Sequence, residues 1–97
     1  RPGCYDIHQR VRDMNANGVL ASLNFGTAVG FAGAWLAGKP DLHLAAVAVS
    51  AYNDWQVDEW CAGSKGRLIP LCLVPLWDAD LAAAEVRRNA ARGVRAV

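Results

Sequence analysis

Gly33-Ala34-Trp35-Leu36-Ala37-Gly38-Lys39 follows the first seven positions of a phosphate-binding P-loop, in which backbone N–H groups cradle phosphates and the lysine reaches them. The eighth position should offer a hydroxyl to magnesium. Here it is Pro40, which has neither hydroxyl nor N–H. The run also begins well past the nearest strand-like segment instead of directly after it, so coincidence explains it. Gly26, Gly30 and Gly33 miss the dinucleotide-binding spacing as well. His8 and His43 are the only imidazoles, each in the first turn of an expected helix, with no second ligand at i+4 and no cysteine in a zinc pattern. They read as ordinary surface histidines. No serine occupies a GxSxG elbow. The sequence therefore assigns no catalytic residue and no metal ligand within residues 1–97.

Asn53 and Asp54 are the polar residues that stand out, because they occur inside a helix rich in apolar side chains. They are expected to bond to neighbouring backbone or to an arginine such as Arg67 or Arg95, and so to fix how the helix docks. Trp55 beside them is expected in the core.

The elements that must position these residues follow from caps and periodicity. Asp6 caps a first helix, with Gln9 in the capping-box position, Ile7, Val11 and Met14 facing inward, and Gly18 as the left-handed stop. A strand is expected over Val19–Phe25. A Gly-rich connection over 26–40 follows, with a helical turn near Phe31–Leu36. Asp41 caps a long helix to about Cys61. Leu44, Ala48, Ala51 and Trp55 mark one stripe of it, widened by Val49, Tyr52 and Trp60; so broad a face implies a sheet on one side and neighbouring helices on the other. Leu68–Val74 reads as a strand buried on both faces, with Pro70 at its entry or at a bulge. Asp78 caps a last helix to about Arg92, in which Glu85 can pair with Arg88. Gly93 stops it, and Val94–Val97 begins a third strand.

Strands without alternation, separated by helices, indicate an α/β architecture with a parallel sheet. Without a dinucleotide fingerprint, the pattern favours a (β/α) barrel segment over a doubly wound sheet. In a barrel the C-terminal ends of the strands face the active site. Those ends carry Asn24, Phe25 and Trp77, the candidate substrate contacts: an amide that donates and accepts, and two aromatic walls.

The apolar fraction of 54% and charged fraction of 20% suit part of a larger core better than a self-contained domain of 97 residues. A net charge of +1 with interspersed signs argues against nucleic acid or an anionic membrane as partner. Residues 14–38 carry no charge, but their Asn, Ser, Thr and Gly content favours a strand and loop over a membrane span. Cys4, Cys61 and Cys72 are odd in number and lack CxxC spacing, which suggests free thiols in a reducing, cytoplasmic setting. The start at Arg1 and the stop inside a strand suggest a single segment of a longer chain.

Several strings resemble a known family. Arg1-Pro2-Gly3, Tyr5-Asp6, Arg10, Asp13-Met14 and Gly18-Val19 are similar to the second barrel segment of the amidohydrolase-related family that includes aminocarboxymuconate-semialdehyde decarboxylase. So are Ala51–Trp55, Arg67-Leu68-Ile69, Val74-Pro75-Leu76 with Asp78, Glu85–Arg88 and Gly93-Val94-Arg95. Ile7 and Asn15 depart from it, where the family often has Pro and Asp. The resemblance implies a distorted (β/α)8 barrel, of which this segment supplies about strands 2 to 4. It implies a divalent metal, usually zinc, held by residues outside 1–97. It also implies hydrolysis, or non-oxidative decarboxylation, of a small organic acid or cyclic substrate. The segment would then be mainly scaffold, inactive alone, with a small-molecule substrate and a possible homo-oligomer as partners. The alternative is a non-enzymatic small α/β binding or assembly module.

Overall fold

The computed structural model describes residues 1–26 and 34–97. In chain order they form α1 (Ile7–Ala16), β1 (Ser22–Asn24), α2 (Ala34–Ala37), α3 (Leu42–Trp55), β2 (Leu68–Pro70) and α4 (Ala79–Ala91). The expected turn at Phe31–Leu36 is present over Ala34–Ala37. Its first residues, like Gly30 and Gly33, lie outside the described residues.

All three aspartate caps form. Asp6 Oδ1 accepts the N–H groups of His8 and Gln9 at 2.8 and 3.0 Å, Asp41 accepts Leu44 N–H at 2.9 Å, and Asp78 accepts those of Asp80 and Leu81 at 3.0 Å. The capping box at Asp6 is only half made. The Asp6 N–H goes to the Pro2 carbonyl, because the Pro2–Cys4 turn reaches it first, and Gln9 accepts from Arg12 instead. Both glycine stops are Schellman turns. Gly18 (φ 67) and Gly93 (φ 88) sit in the left-handed region, and the next residue's N–H returns to Met14 and Asn89 carbonyls at 2.9 and 3.1 Å.

Helix α3 does not simply end. Its last turns widen into a π-helical stretch, Gln56–Cys61, followed by a short turn over Ala62–Ser64. This widening turns Gln56 and Cys61 inward together, although they are five residues apart.

The strands are parallel, with Ser22 opposite Leu68, Leu23 opposite Ile69 and Asn24 opposite Pro70. They are shorter than the apolar runs suggested, and Pro70 closes β2 instead of entering it. Leu71 N–H still reaches the Asn24 carbonyl at 3.2 Å, and Cys72 N–H reaches the Ala96 carbonyl at 3.1 Å. Residues 94–97 thus lie beside the chain leaving β2 without forming the expected third strand. Donors alternate sides along a strand, so the N–H that Pro70 lacks belongs on that same side.

One face of this sheet carries the helices. Leu68 packs with Met14 of α1 and Cys61, and Leu73 packs with Leu36, Ala45 and Val49 of α2 and α3. Leu23 and Ile69, paired on the opposite face, are exposed.

The orientation of α3 corrects the expected stripe. Ala45, Val49 and Asn53 are buried, whereas Leu44, Ala51 and Trp55 face away from the sheet and are exposed. Trp55 is therefore not core; it stacks on Trp60 at 6.1 Å between ring centroids. A helix apolar nearly all round does not specify its buried face by apolar residues alone. The side that docks is the one whose amides find backbone partners.

Arg67 ties the entry of β1 to α1. Its Nε donates to the Leu20 carbonyl at 2.9 Å, Nη2 to the Val19 carbonyl at 2.6 Å, and Nη1 to Asn15 Oδ1. Arg67→Ala is expected to lower stability by about 1–2 kcal/mol, because carbonyls held by a charged fork must find water instead. A urea titration of the variant reads this as a lower midpoint at unchanged slope.

Candidate functional site

Asn53 is fully buried and makes a two-way contact with one backbone residue. Its Nδ2 donates to the Leu73 carbonyl at 2.8 Å, and its Oδ1 accepts Leu73 N–H at 2.8 Å. Leu71 N–H goes to β1, so by alternation Leu73 N–H should also point toward β1. Asn53 takes its place there. One helical turn on, Gln56 Nε2 donates to the Asn24 carbonyl at 2.8 Å. Two amides from one face of α3 thus grip the two strands where their own pairing stops.

Behind Asn53 lies a polar hub. Glu85 of α4 accepts from Asn53 Nδ2 at 2.7 Å, Asn89 Nδ2 at 2.9 Å, Ser50 Oγ at 3.1 Å, and Arg88 Nε and Nη2 at 2.9 and 2.7 Å. Burial alone raises the Glu85 carboxyl, but Arg88 and then the Asn53 and Asn89 donors outweigh it and hold the group at about 2. Asp54 accepts from both Arg88 and Arg92 at 2.6 Å, and the Arg88 bond leads in keeping its carboxyl below the usual range. Asn53 does bond to backbone, as expected. The arginines are Arg88 and Arg92, however, not Arg67 or Arg95. A signal for them existed: Glu85, Asn89 and Arg92 recur on one face of a helix otherwise rich in alanine.

Of the three candidate substrate contacts, Asn24 and Phe25 are neighbours at the end of β1, and Trp77 lies seven residues beyond the end of β2. Asn24 is half-buried, and its Nδ2 donates to the Ser22 and Ile69 carbonyls at 2.9 and 3.3 Å. Phe25 beside it is half-exposed. Trp77 packs against the cluster of Leu36, Ala45, Val49 and Leu73, with its indole N–H buried and without a hydrogen-bond partner among the described residues. Asn24 is level with Pro70, so the strand ends identified in the sequence are not level with each other.

Lys39 lies over the Trp35 ring, 3.5 Å from its centroid, a cation–π contact in place of any phosphate cradle. His8 and His43 are exposed on separate helices. Among the described residues no three His, Cys, Asp or Glu side chains gather to hold a metal ion, so these residues do not fit the metal that the family resemblance implies. Burial drives the Cys61 and Cys72 thiols up to about 11, which keeps both protonated and unreactive at neutral pH. Cys4 is exposed and free. No helix among the described residues is long and apolar enough to cross a membrane.

None of the curated proteins matches the chain. The profile of the Amidohydro_2 family, described as amidohydrolase, matches residues 1–97. Because the match covers the sequence from Arg1 to Val97, with its parallel strands and intervening helices, the chain belongs to the amidohydrolase family.

Proposed function

We propose that the chain is part of a metal-dependent enzyme, a hydrolase or non-oxidative decarboxylase of a small organic acid or cyclic substrate, in which residues 1–97 act mainly as scaffold. The observation that supports this beyond family membership is the one-sided sheet. Among the described residues, helices cover the face of Ser22 and Leu68, while Leu23 and Ile69 on the other face are 43% and 39% exposed. A (β/α)8 barrel has helices outside only and fills its inside with side chains from other strands. A doubly wound sheet carries helices on both faces. In this reading the segment supplies about strands 2 to 4, and Asn24, Phe25 and Trp77 are the residues nearest substrate. A divalent metal, zinc by preference, would be held by residues outside 1–97, where it would supply Lewis-acid chemistry toward water or the substrate.

The test is metal content of the purified protein, together with turnover of a panel of cyclic carboxylates, lactones and amides before and after chelation. The expected result is about one or two bound divalent ions per chain and an activity lost with chelator and restored by zinc. Turnover that survives complete metal removal overturns the metal-dependent reading.

A further inference from the structure

Gln56 is only 1% exposed, yet one half of its amide is unused. Nε2 donates to the Asn24 carbonyl at 2.8 Å, while Oε1, also buried, accepts no hydrogen bond among the described residues. Turning the amide over would set Oε1 against a carbonyl oxygen, so the orientation is fixed. The grip on Asn24 and the orphaned acceptor therefore come together. A buried acceptor without a donor lowers stability, and an apolar side chain of similar size would serve the core about as well. A buried polar group that packing does not reward calls for another role. Gln56 also opens the π-helical stretch, a kind of widening that recurs at functional sites.

What Gln56 holds is the last fixed point of β1. The Asn24 carbonyl accepts from Leu71 N–H as well, at 3.2 Å, a longer bond than the one from Gln56. Farther along, Leu73 N–H goes to Asn53, so that donor is not available to the chain leaving β1. A peptide unit is planar, and the Asn24 carbonyl oxygen shares its plane with the nitrogen and Cα of Phe25. A donor held on that oxygen fixes the tilt of the plane, and with it the direction in which Phe25 leaves the strand. By alternation Phe25 continues the face of Leu23, and it is 49% exposed. In the barrel reading this face lines the inside, and the C-terminal end of β1 borders the substrate.

We propose that Gln56 is a positioning residue: its amide sets the peptide between Asn24 and Phe25 and so holds the Phe25 ring as a wall of the substrate site. The placement of the ring stands on the hydrogen bond, and its meaning for substrate rests on the barrel reading given above.

Gln56→Met and Gln56→Leu in the full-length protein remove the grip and the orphaned acceptor together. Both should fold, with urea midpoints close to the parent's. With para-fluorophenylalanine in place of Phe25 alone, fluorine NMR should show a shifted and broadened resonance in both variants. For any member of the panel of cyclic carboxylates, lactones and amides that the parent turns over, KM should rise about 10-fold with kcat within about twofold. Phe25→Ala should raise KM to a similar extent, and Gln56→Met should add little to it, because the two act through one ring. An unmoved resonance in the folded variants overturns the proposal, as does a KM effect that adds in full to that of Phe25→Ala. A resonance that moves while KM stays at the parent's value keeps the positioning and overturns the substrate wall. Should the parent turn over no member of the panel, the barrel-mouth reading fails by that result, and the fluorine resonance still decides the role of Gln56.

Discussion

Replacing Asn53 with alanine lowers the unfolding free energy by about 3–4 kcal/mol, the largest single-residue effect expected on the polar framework. The loss is not that of one hydrogen bond. Leu73 N–H and its carbonyl both lose their partner, and Glu85 loses a donor, all at positions water reaches poorly. Each buried group left unpaired costs about 1–3 kcal/mol, and water entering the vacated space recovers part of it. Because natural domains are stable by only about 5–15 kcal/mol, this is a large fraction of the total. Asn53→Asp sharpens the test. It keeps an acceptor for Leu73 N–H but loses the donor to the Leu73 carbonyl, and it sets a second carboxyl against Glu85. Its destabilisation should match that of alanine at neutral pH and shrink as the pH is lowered and the new carboxyl takes up a proton. Urea midpoints of both variants at pH 7 and pH 5 measure this. An Asn53→Ala variant within 1 kcal/mol of the parent by that measure (about the cost of one ordinary hydrogen bond) would show that Leu73 has another partner.

Acid should unfold the protein through Glu85. Its carboxyl lies at about 2 when folded and near the ordinary 4.5 when unfolded, so the folded state favours the ionised form. A depressed carboxyl contributes its stability in full above its unfolded value and loses it as pH falls toward the folded one. The contribution should therefore be intact above about pH 5 and fade progressively down to about pH 2. Glu85→Gln removes the charge that Arg88 faces and one acceptor of the hub, at a cost of about 2–3 kcal/mol at pH 7. It should also flatten the stability profile between about pH 5 and pH 2, leaving the smaller contribution of Asp54, whose carboxyl is depressed in the same direction. Melting temperatures across that range, parent against variant, decide the matter. Parallel profiles would mean that Glu85 is not the group acid acts on.

Much of the chain's plan is written locally. Asp6, Asp41 and Asp78 start helices because a short acceptor side chain satisfies the N–H groups at a helix's beginning, wherever the helix then goes. Gly18 and Gly93 stop helices because the turn there needs a positive φ. The Glu85–Arg88 pair is set by helical spacing. These devices work within one or two turns of chain, and they gave the order of helices and parallel strands without reference to anything distant. The family strings are legible for the same reason, being runs of consecutive residues.

The sequence could not say which side of α3 docks, because that helix is apolar almost all the way round. The side chosen is the one bearing Asn53 and Gln56, amides that would be costly to bury alone and are stabilising only where two strands stop pairing and leave backbone groups free. Leu73 and Asn24, which supply those groups, are 20 and 32 residues away in sequence. Their position depends on where β1 and β2 part, and residues 94–97, lying beside the chain that leaves β2, depend in turn on a proline without an N–H. The same choice of side put Trp55 outside and assigned Arg88 and Arg92 to Asp54. The sequence by itself determined the elements and their ends, which depend on neighbours along the chain. Only the tertiary structure decided the buried face, the polar hub and the exposed stripe, because each depends on where unpaired backbone groups of separate elements meet in space.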